Sequence, residues 1–257
     1  MTAWQGASFL LCVAVATCAQ TLTGFAFSLI LLGLVGMLQL ASLADAANVA
    51  SVLTLVQALV VLKGSRKSLD LQALRDTALG SGIGVVIGVL LLGWLSGSVV
   101  QMLRLLLGLT ILACATTLLV RVEPLPARSS NGAFRAFGLV SGVMSGLFSS
   151  AGPPLVYQFY RQPMAALAIR QTLVMIFAFN SFLRLLLVVP TGHFSIAAVW
   201  LSLLAAPLVM ALTWLMKRYP PDWSPRTVRT VVCALLVLAG LSLVLPAAVS
   251  FAHAGHR

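Results

Sequence analysis

The stretch Gly138-Leu-Val-Ser-Gly-Val-Met-Ser-Gly-Leu-Phe-Ser-Ser-Ala-Gly-Pro-Pro-Leu-Val-Tyr157 contains a helix-packing signal and a helix-breaking signal within one apolar segment. Glycine recurs every four residues from Gly138 to Gly146, so one helix face has no side chains and another helix backbone can approach it. Pro153 and Pro154 then remove two backbone N–H donors. The stretch therefore predicts a packing helix that opens over residues 148–154.

The composition of the whole chain is that of a polytopic membrane protein. Of its 257 residues, 60% are hydrophobic and only 8% are charged, which gives more apolar surface than a water-soluble domain can bury. Division at charges, Pro/Gly turns and polar clusters predicts an all-α fold of about eight membrane-spanning helices of about 20 residues each. The net charge of +11 comes from Lys and Arg in short loops, which indicates contact with membrane lipid and no nucleic acid partner.

A second break is predicted in the first half of the chain. The uncharged run from Thr2 to Ala44 is too long for one straight crossing of a membrane core about 30 Å thick. Polar residues and Gly24 interrupt this run between Gln20 and Ser28. The predicted first helix of each half is therefore broken, and its open backbone needs polar partners inside the membrane.

The order of features in the first half recurs in the second, and Thr23-Gly24 corresponds to Ser145-Gly146 in this comparison. We predict two four-helix repeats, over residues 1–121 and 134–246, with a linker over 122–133 and a polar tail over 247–257. An even number of crossings in each repeat makes the two copies parallel to one another.

The positive-inside rule gives conflicting orientations for the two halves in this eight-span arrangement. The basic residues of the first half lie on one side of the membrane, whereas Arg161, Lys217, Arg218 and Arg226 of the second half fall on the other. Because the first half usually dominates the orientation, both termini are predicted to lie inside the cell.

Two segments resemble the repeat signatures of the TauE/SafE sulfite exporter family of membrane permeases. Residues 23–30 (Thr-Gly-Phe-Ala-Phe-Ser-Leu-Ile) are similar to the first signature, and residues 145–156 to the second, with Ser149 and Ser150 where the family commonly has glycine. The similarity extends over nearly the whole chain. It implies two four-helix repeats, a multi-pass location in a bacterial inner membrane, and transport of sulfite, sulfonates or small carboxylates.

Arg184 and Asn180 are candidate substrate ligands in the helix that follows the second break. An ionised side chain within a membrane span costs at least about 2.5–3.5 kcal/mol, so it normally faces a cavity or a partner. One interpretation is that the Arg184 fork binds an oxyanion while Asn180 adds a donor one helical turn earlier. The alternative is that Arg184 extends to the lipid headgroups near Pro190.

The remaining candidates for substrate binding flank the two breaks. Hydroxyl groups and open backbone at such breaks commonly surround the substrate of a secondary transporter. These candidates are Thr23, Gly24, Ser28, Ser145, Gly146, Ser149, Ser150, Gly152 and Pro153.

The sequence contains no P-loop, HExxH motif or acidic pair, so neither ATP hydrolysis nor metal-dependent catalysis is expected. The four cysteines lie in apolar spans without metal-ligand spacing, and we expect no catalytic residue, metal or cofactor. The favoured function is a permease for a small anion. A homo-oligomer is one interpretation of its assembly. A channel and a non-transporting assembly factor remain as alternatives.

Overall fold

A computed structural model describes residues 3–63, 69–95, 100–119, 125–150, 152–192, 194–219 and 224–254. These residues form only helices: α1 (Ala3–Thr23), α2 (Phe27–Met37), α3 (Leu43–Leu62), α4 (Leu71–Leu95), α5 (Val100–Leu119), α6 (Asn131–Phe148), α7 (Gly152–Tyr160), α8 (Ala166–Val188), α9 (Ile196–Arg218) and α10 (Pro225–Ala254). Five of them are long and apolar enough to cross a membrane, namely α1, α3, α4, α8 and α9. The prediction of an all-helical, multi-pass membrane protein is confirmed.

Helices α6 and α7 form a hairpin. The Leu125 N–H, before α6, donates to the Arg161 carbonyl, after α7, at 2.8 Å. The rings of Phe134 and Phe159 pack edge to face with their centroids 5.6 Å apart. The start of α6 and the end of α7 therefore lie together, and the chain reverses at Ser149 and Ser150, which we call the second tip.

Helices α1 and α2 form a similar hairpin in the first half. The two helices pack against each other, and the Phe27 N–H at the start of α2 donates to Oε1 of Gln20 near the end of α1 at 3.0 Å. The other end of α2 lies against the start of α3, where Gly36 faces Leu43. The chain reverses over residues 24–26, which we call the first tip.

These hairpins correct two predictions. The breaks in the first helix of each half were predicted inside single crossings, but each break reverses the chain. The open backbone was also predicted to continue to Pro154, whereas Gly152, Pro153 and Pro154 form the first turn of α7. Proline is tolerated in that turn because its missing N–H would have no intrahelical acceptor there.

The directions of corresponding helices contradict the predicted parallel repeats. Asn48 near the start of α3 bonds Arg184 near the end of α8, and Asp70 after α3 bonds Thr172 near the start of α8, so α3 and α8 are antiparallel. Helices α5 and α10 are antiparallel too, since the Sγ of Cys233 near the start of α10 bonds a carbonyl near the end of α5. In each half, a hairpin is followed by three further helices.

We name the two faces of the helical assembly by the hairpins that begin there. The α1 face carries the start of α1 and the α6 face carries the start of α6. Helices α3, α5 and α9 run from the α1 face to the α6 face, and α4, α8 and α10 run in the opposite direction.

Glycines bring α4 and α6 into backbone contact, as the four-residue spacing predicted. A Cβ added at Gly142 would lie 2.3 Å from the Ser81 carbonyl oxygen, and one added at Gly84 would lie 2.2 Å from that of Leu139. An ion pair between Arg135 and Asp76, 2.9 Å long, joins the same two helices near the α6 face. This contact fixes the second hairpin on α4.

Two boundaries differ from the predicted division of the chain. Helix α6 begins at Asn131, inside the predicted linker 122–133, because the Ser130 side chain accepts the Ala133 N–H and caps the helix. Helix α10 continues to Ala254, through most of the predicted tail 247–257.

Candidate functional site

A small cavity lies between the two hairpin tips. Its volume of about 10 Å³ holds about one water molecule. Its lining comes from both hairpins and from α3 and α8: Gln20, Phe25, Ser28, Thr54, Ser149, Ser150 and Phe177. Three predicted residues, Ser28, Ser149 and Ser150, are thus brought together around one space.

The first tip is built on backbone conformation and one amide side chain. Gly24 has φ +88°, a left-handed conformation that glycine adopts without steric penalty. The Thr23 hydroxyl donates to the Ala19 carbonyl at 2.7 Å, so it closes the end of α1 and is absent from the cavity lining. Gln20 and Ser28 are the polar side chains that this hairpin contributes to the cavity.

The second tip places a serine in the left-handed region. Ser149 has φ +55° and its N–H donates to the Ser145 carbonyl at 2.8 Å, which ends α6. Its hydroxyl lies 2.7 Å from the hydroxyl of Ser51 in α3. Ser149 is buried, so a side chain here serves the interior of the protein. Gly24 and Ser149, rather than Gly24 and Gly146, are the corresponding positions of the two tips.

Both short helices begin at the cavity. Helix α2 starts at Phe27, immediately before cavity residue Ser28, and α7 starts at Gly152, shortly after cavity residue Ser150. The N-terminus of a helix carries a partial positive charge, and its first amides have no intrahelical acceptor. Two N-termini that meet at one cavity favour a negatively charged occupant.

Arg184 is fully buried beside the second tip. Its Nε donates to the Gly146 carbonyl at 3.0 Å, and its Nη1 donates to Asn48 Oδ1 at 2.9 Å and to Ser51 Oγ at 3.1 Å. Because Ser51 also bonds Ser149, a continuous chain of hydrogen bonds joins the guanidinium to the cavity wall. This burial excludes the interpretation that Arg184 extends to the lipid headgroups.

The three described carboxylates are all engaged elsewhere. Asp70 pairs with Arg128 and Asp76 pairs with Arg135, both near the α6 face. Asp45 accepts hydrogen bonds from Ser42 and Ser195 near the α1 face. Within the described part of the chain, the buried charge of Arg184 therefore has no carboxylate counter-ion.

Other predicted residues take supporting positions. Ser145 and Gly146 lie in the last turn of α6, where Gly146 packs on Gly88 of α4. Pro153 lies in the first turn of α7. Asn180 is fully buried one turn before Arg184, and both polar atoms of its side chain lack a hydrogen-bond partner among the described residues.

The structure adds two cavity residues that the sequence analysis did not select. Gln20 Nε2 and Thr54 Oγ1 are buried without a hydrogen-bond partner in the described part of the chain, and both residues line the cavity. A buried donor left without a partner is costly, and a ligand that accepts hydrogen bonds would satisfy it. The polarity of Gln20 within an apolar run was a usable signal, but Thr54 reaches the cavity only through the packing of α3.

Comparisons with known proteins identify the family of this chain. The family model described as "Sulfite exporter TauE/SafE" matches residues 9–243. A protein of Cupriavidus necator named "Probable sulfite/organosulfonate exporter TauE" is 38% identical over 228 residues, which cover 89% of each chain. No solved structure matches the chain.

Proposed function

This chain belongs to the sulfite exporter TauE/SafE family of transporters, and we propose that it is a secondary permease that exports a small anion through the cavity between its hairpin tips. The candidate substrates are sulfite, an organosulfonate or a small carboxylate. The observation that carries the proposal is the convergence of two helix N-termini and unpaired donors on one cavity, with an uncompensated arginine two hydrogen bonds away. The name of the Cupriavidus necator relative supports the sulfur oxyanions in particular.

The chemistry of the site favours an anion over a cation. Gln20 Nε2 can only donate, and the hydroxyls of Thr54 and Ser150 can donate to an oxyanion. No described carboxylate lies at the cavity to neutralise a cation, whereas Arg184 supplies a buried positive charge within two hydrogen bonds of it. A tetrahedral or pyramidal oxyanion presents several acceptor oxygens to such a set of donors.

Transport requires the tips to separate. A cavity with room for one water molecule cannot hold sulfite, so the described conformation is closed around its site. In secondary transporters, alternating access moves one repeat against the other around a fixed site. We propose that each hairpin tip withdraws in turn and opens the cavity to one face.

We also propose that the two halves are inverted repeats related by a pseudo-two-fold axis in the membrane plane. Exchange of the halves pairs α1–α5 with α6–α10. The contact of α4 with α6 then corresponds to that of α9 with α1, and the contact of α4 with α8 to that of α9 with α3. Such an axis exchanges α3 with α8 and α5 with α10 and reverses their direction. Each helix must therefore run antiparallel to its counterpart, as both pairs do.

The distribution of basic residues supports this topology. The sequence between α2 and α3, between α4 and α5 and between α8 and α9 contains no Lys or Arg. The segments between α3 and α4, α5 and α6, α7 and α8, and α9 and α10, with the helix turns beside them, carry Lys63, Arg66, Lys67, Arg75, Arg121, Arg128, Arg135, Arg161, Arg170, Lys217, Arg218, Arg226 and Arg229. The first turns of α5, at the opposite face, carry Arg104 alone. The conflict between the two halves therefore disappears, and the α6 face is cytoplasmic under the positive-inside rule. The termini then lie outside, opposite to the orientation predicted from the sequence.

Reconstitution into proteoliposomes tests the function. Vesicles loaded with sulfite, 2-aminoethanesulfonate, acetate, sodium or potassium are diluted, and efflux is compared with that of protein-free vesicles. We expect saturable efflux of at least one anion without ATP. Efflux of cations alone would contradict the anion site, non-saturable anion current would indicate a channel, and no flux of any solute would support the assembly factor.

A further inference from the structure

Two residues of the second half cover the first tip on its α6-face side. The Tyr160 hydroxyl, at the end of α7, donates to the Thr23 carbonyl at 3.2 Å. The stem of Arg170, in the first turns of α8, packs on Gly24, where an added Cβ would lie only 2.8 Å from Arg170 Cγ. The first tip is therefore held between its own hairpin and the α7–α8 segment.

The guanidinium of Arg170 is unpaired within the described ranges. It is half-buried, and it makes no hydrogen bond or ion pair with any residue in the described ranges. The methylene groups of Arg170 contact the backbone of the first tip. Within the described ranges, the guanidinium of Arg170 therefore has no acceptor or carboxylate of its own.

A cation consequently lies beside each tip. Arg184 lies beside the second tip, toward the α1 face, and is bonded within the protein on two of its nitrogens. Arg170 lies beside the first tip, toward the α6 face. Arg170 thus lies between the α6 face, where α8 begins, and the first tip.

We propose that Arg170 is a second anion-binding residue at the cytoplasmic entrance, and that Arg170 and Tyr160 together form the gate between the α6 face and the cavity. The anion binds the Arg170 guanidinium, and the first tip releases the Tyr160 hydroxyl as it withdraws. The assignment of this face as the entrance rests on the proposed function. The contacts that close the tip do not depend on it.

Flux measurements separate charge from packing at Arg170. Arg170→Met keeps a methylene stem against Gly24 and removes the charge, whereas Arg170→Lys keeps both. With sulfite as the probe, we expect Arg170→Met to raise the half-saturation concentration about tenfold or more, by loss of a charge-assisted bond, and Arg170→Lys to recover most of that loss. Arg161→Met, on the same face over the Tyr157 ring, is the matched control and keeps wild-type half-saturation.

Wild-type half-saturation in Arg170→Met would remove Arg170 from the anion path. Because both variants keep the methylene stem, equal losses in Arg170→Met and Arg170→Lys would show that the positive charge at this position does not bind the anion, which would also overturn the proposal. If the wild-type protein moves no sulfite, the proposed function fails in this assay, and the gate is judged by an accessibility measurement instead.

That second measurement needs no transport. Ser28→Cys places a thiol in the cavity, and its reaction with a membrane-impermeant thiol reagent is followed from each face, with the parent protein as background. Tyr160→Phe removes one hydrogen bond from the closed gate, so we expect about fivefold faster modification from the α6 face and no change from the α1 face. Unchanged modification from both faces, or an equal increase from both, would show that Tyr160 does not close this side of the cavity.

Discussion

The two hairpin tips reach the same geometry with different chemistry. The first tip turns on Gly24, and the amide of Gln57 in α3 bonds the end of α1 through the Thr17 carbonyl and the Thr21 hydroxyl. The second tip turns on Ser149, and the guanidinium of Arg184 bonds the end of α6. A neutral side chain holds one hairpin and a charged side chain holds the other.

The difference extends to what each tip offers a ligand. Helix α2 begins with residues that keep their N–H groups, so the first tip can present backbone amides. Helix α7 begins Gly152-Pro153-Pro154, which removes two of those amides. At the second tip the hydroxyls of Ser149 and Ser150 and the nearby charge of Arg184 take their place. Under the proposed function, two hairpins of similar geometry thus contribute unlike groups to one anion site.

The largest expected effect concerns the arms of the hairpins, where the second is packed far more tightly than the first. Gly142→Ala places a methyl group 2.3 Å from the Ser81 carbonyl oxygen, so α4 and α6 must separate. Gly6→Ala in α1 is the matched control, because nothing lies within 4 Å of its Cβ position. We expect Gly142→Ala to lose about 3 kcal/mol of stability or more by overpacking, while Gly6→Ala loses none. Thermal unfolding in detergent measures both.

Wild-type melting temperatures for both alanine variants would show that the α4–α6 contact is not the fixed support of the second hairpin. An equal loss in both would indicate that either arm tolerates added volume poorly.

The second prediction tests the charged side chain at the second tip. Arg184→Lys keeps the charge but loses the planar fork that bonds Gly146, Asn48 and Ser51 together. We expect the half-saturation concentration for sulfite to rise about tenfold, the equivalent of one charge-assisted hydrogen bond, at unchanged membrane abundance. Arg161→Lys serves as the control on the α6 face. Wild-type half-saturation in Arg184→Lys would leave the tips alone as the anion site.

The sequence located both breaks but not their direction. Glycine and proline show where a membrane helix must open, since they remove a side chain or a backbone donor. Whether the chain then continues or reverses depends on tertiary contacts such as those of Gln162 with Ser129, which join positions 33 residues apart. One sequence signal did bear on direction. The basic residues of the two halves agree on one face only if each break reverses the chain.

The site was predictable to a similar extent. Ser28, Ser149 and Ser150 were selected because they flank the breaks, and all three line the cavity. Asn48 and Ser51, which bond Arg184, lie in α3 and resemble any other polar residues of a packed helix. Their role appears only when antiparallel packing brings α3 against α8.

The third prediction exchanges the residues at the turning positions. Gly24→Ala puts a Cβ in the left-handed region and against Arg170 Cγ, so we expect a loss of about 1–2 kcal/mol in stability. Ser149→Gly relieves the same conformational cost but loses the hydroxyl that meets Ser51, and these two effects nearly cancel, to within about 1 kcal/mol. Chemical denaturation at matched detergent concentration compares them. A larger loss in Ser149→Gly than in Gly24→Ala would show that the hydroxyl, not the backbone, holds the second tip.

The smallest expected effect concerns a single hydroxyl of the second tip. Ser150 lines the cavity, and its hydroxyl is one of several donors there, so its removal costs an oxyanion one neutral hydrogen bond of about 1 kcal/mol. Ser150→Ala should therefore raise the half-saturation concentration for sulfite about fivefold without changing stability, and Ser150→Thr should restore it. Ser242→Ala in α10 is the control, because the Ser242 hydroxyl bonds the Ala239 carbonyl and does not line the cavity. If Ser150→Ala and Ser242→Ala behave alike, the second tip acts through Ser149 and Arg184 only. The two tips would then share only their backbone geometry, and the charge of Arg184 would be the one chemical group that distinguishes the second tip in ligand binding.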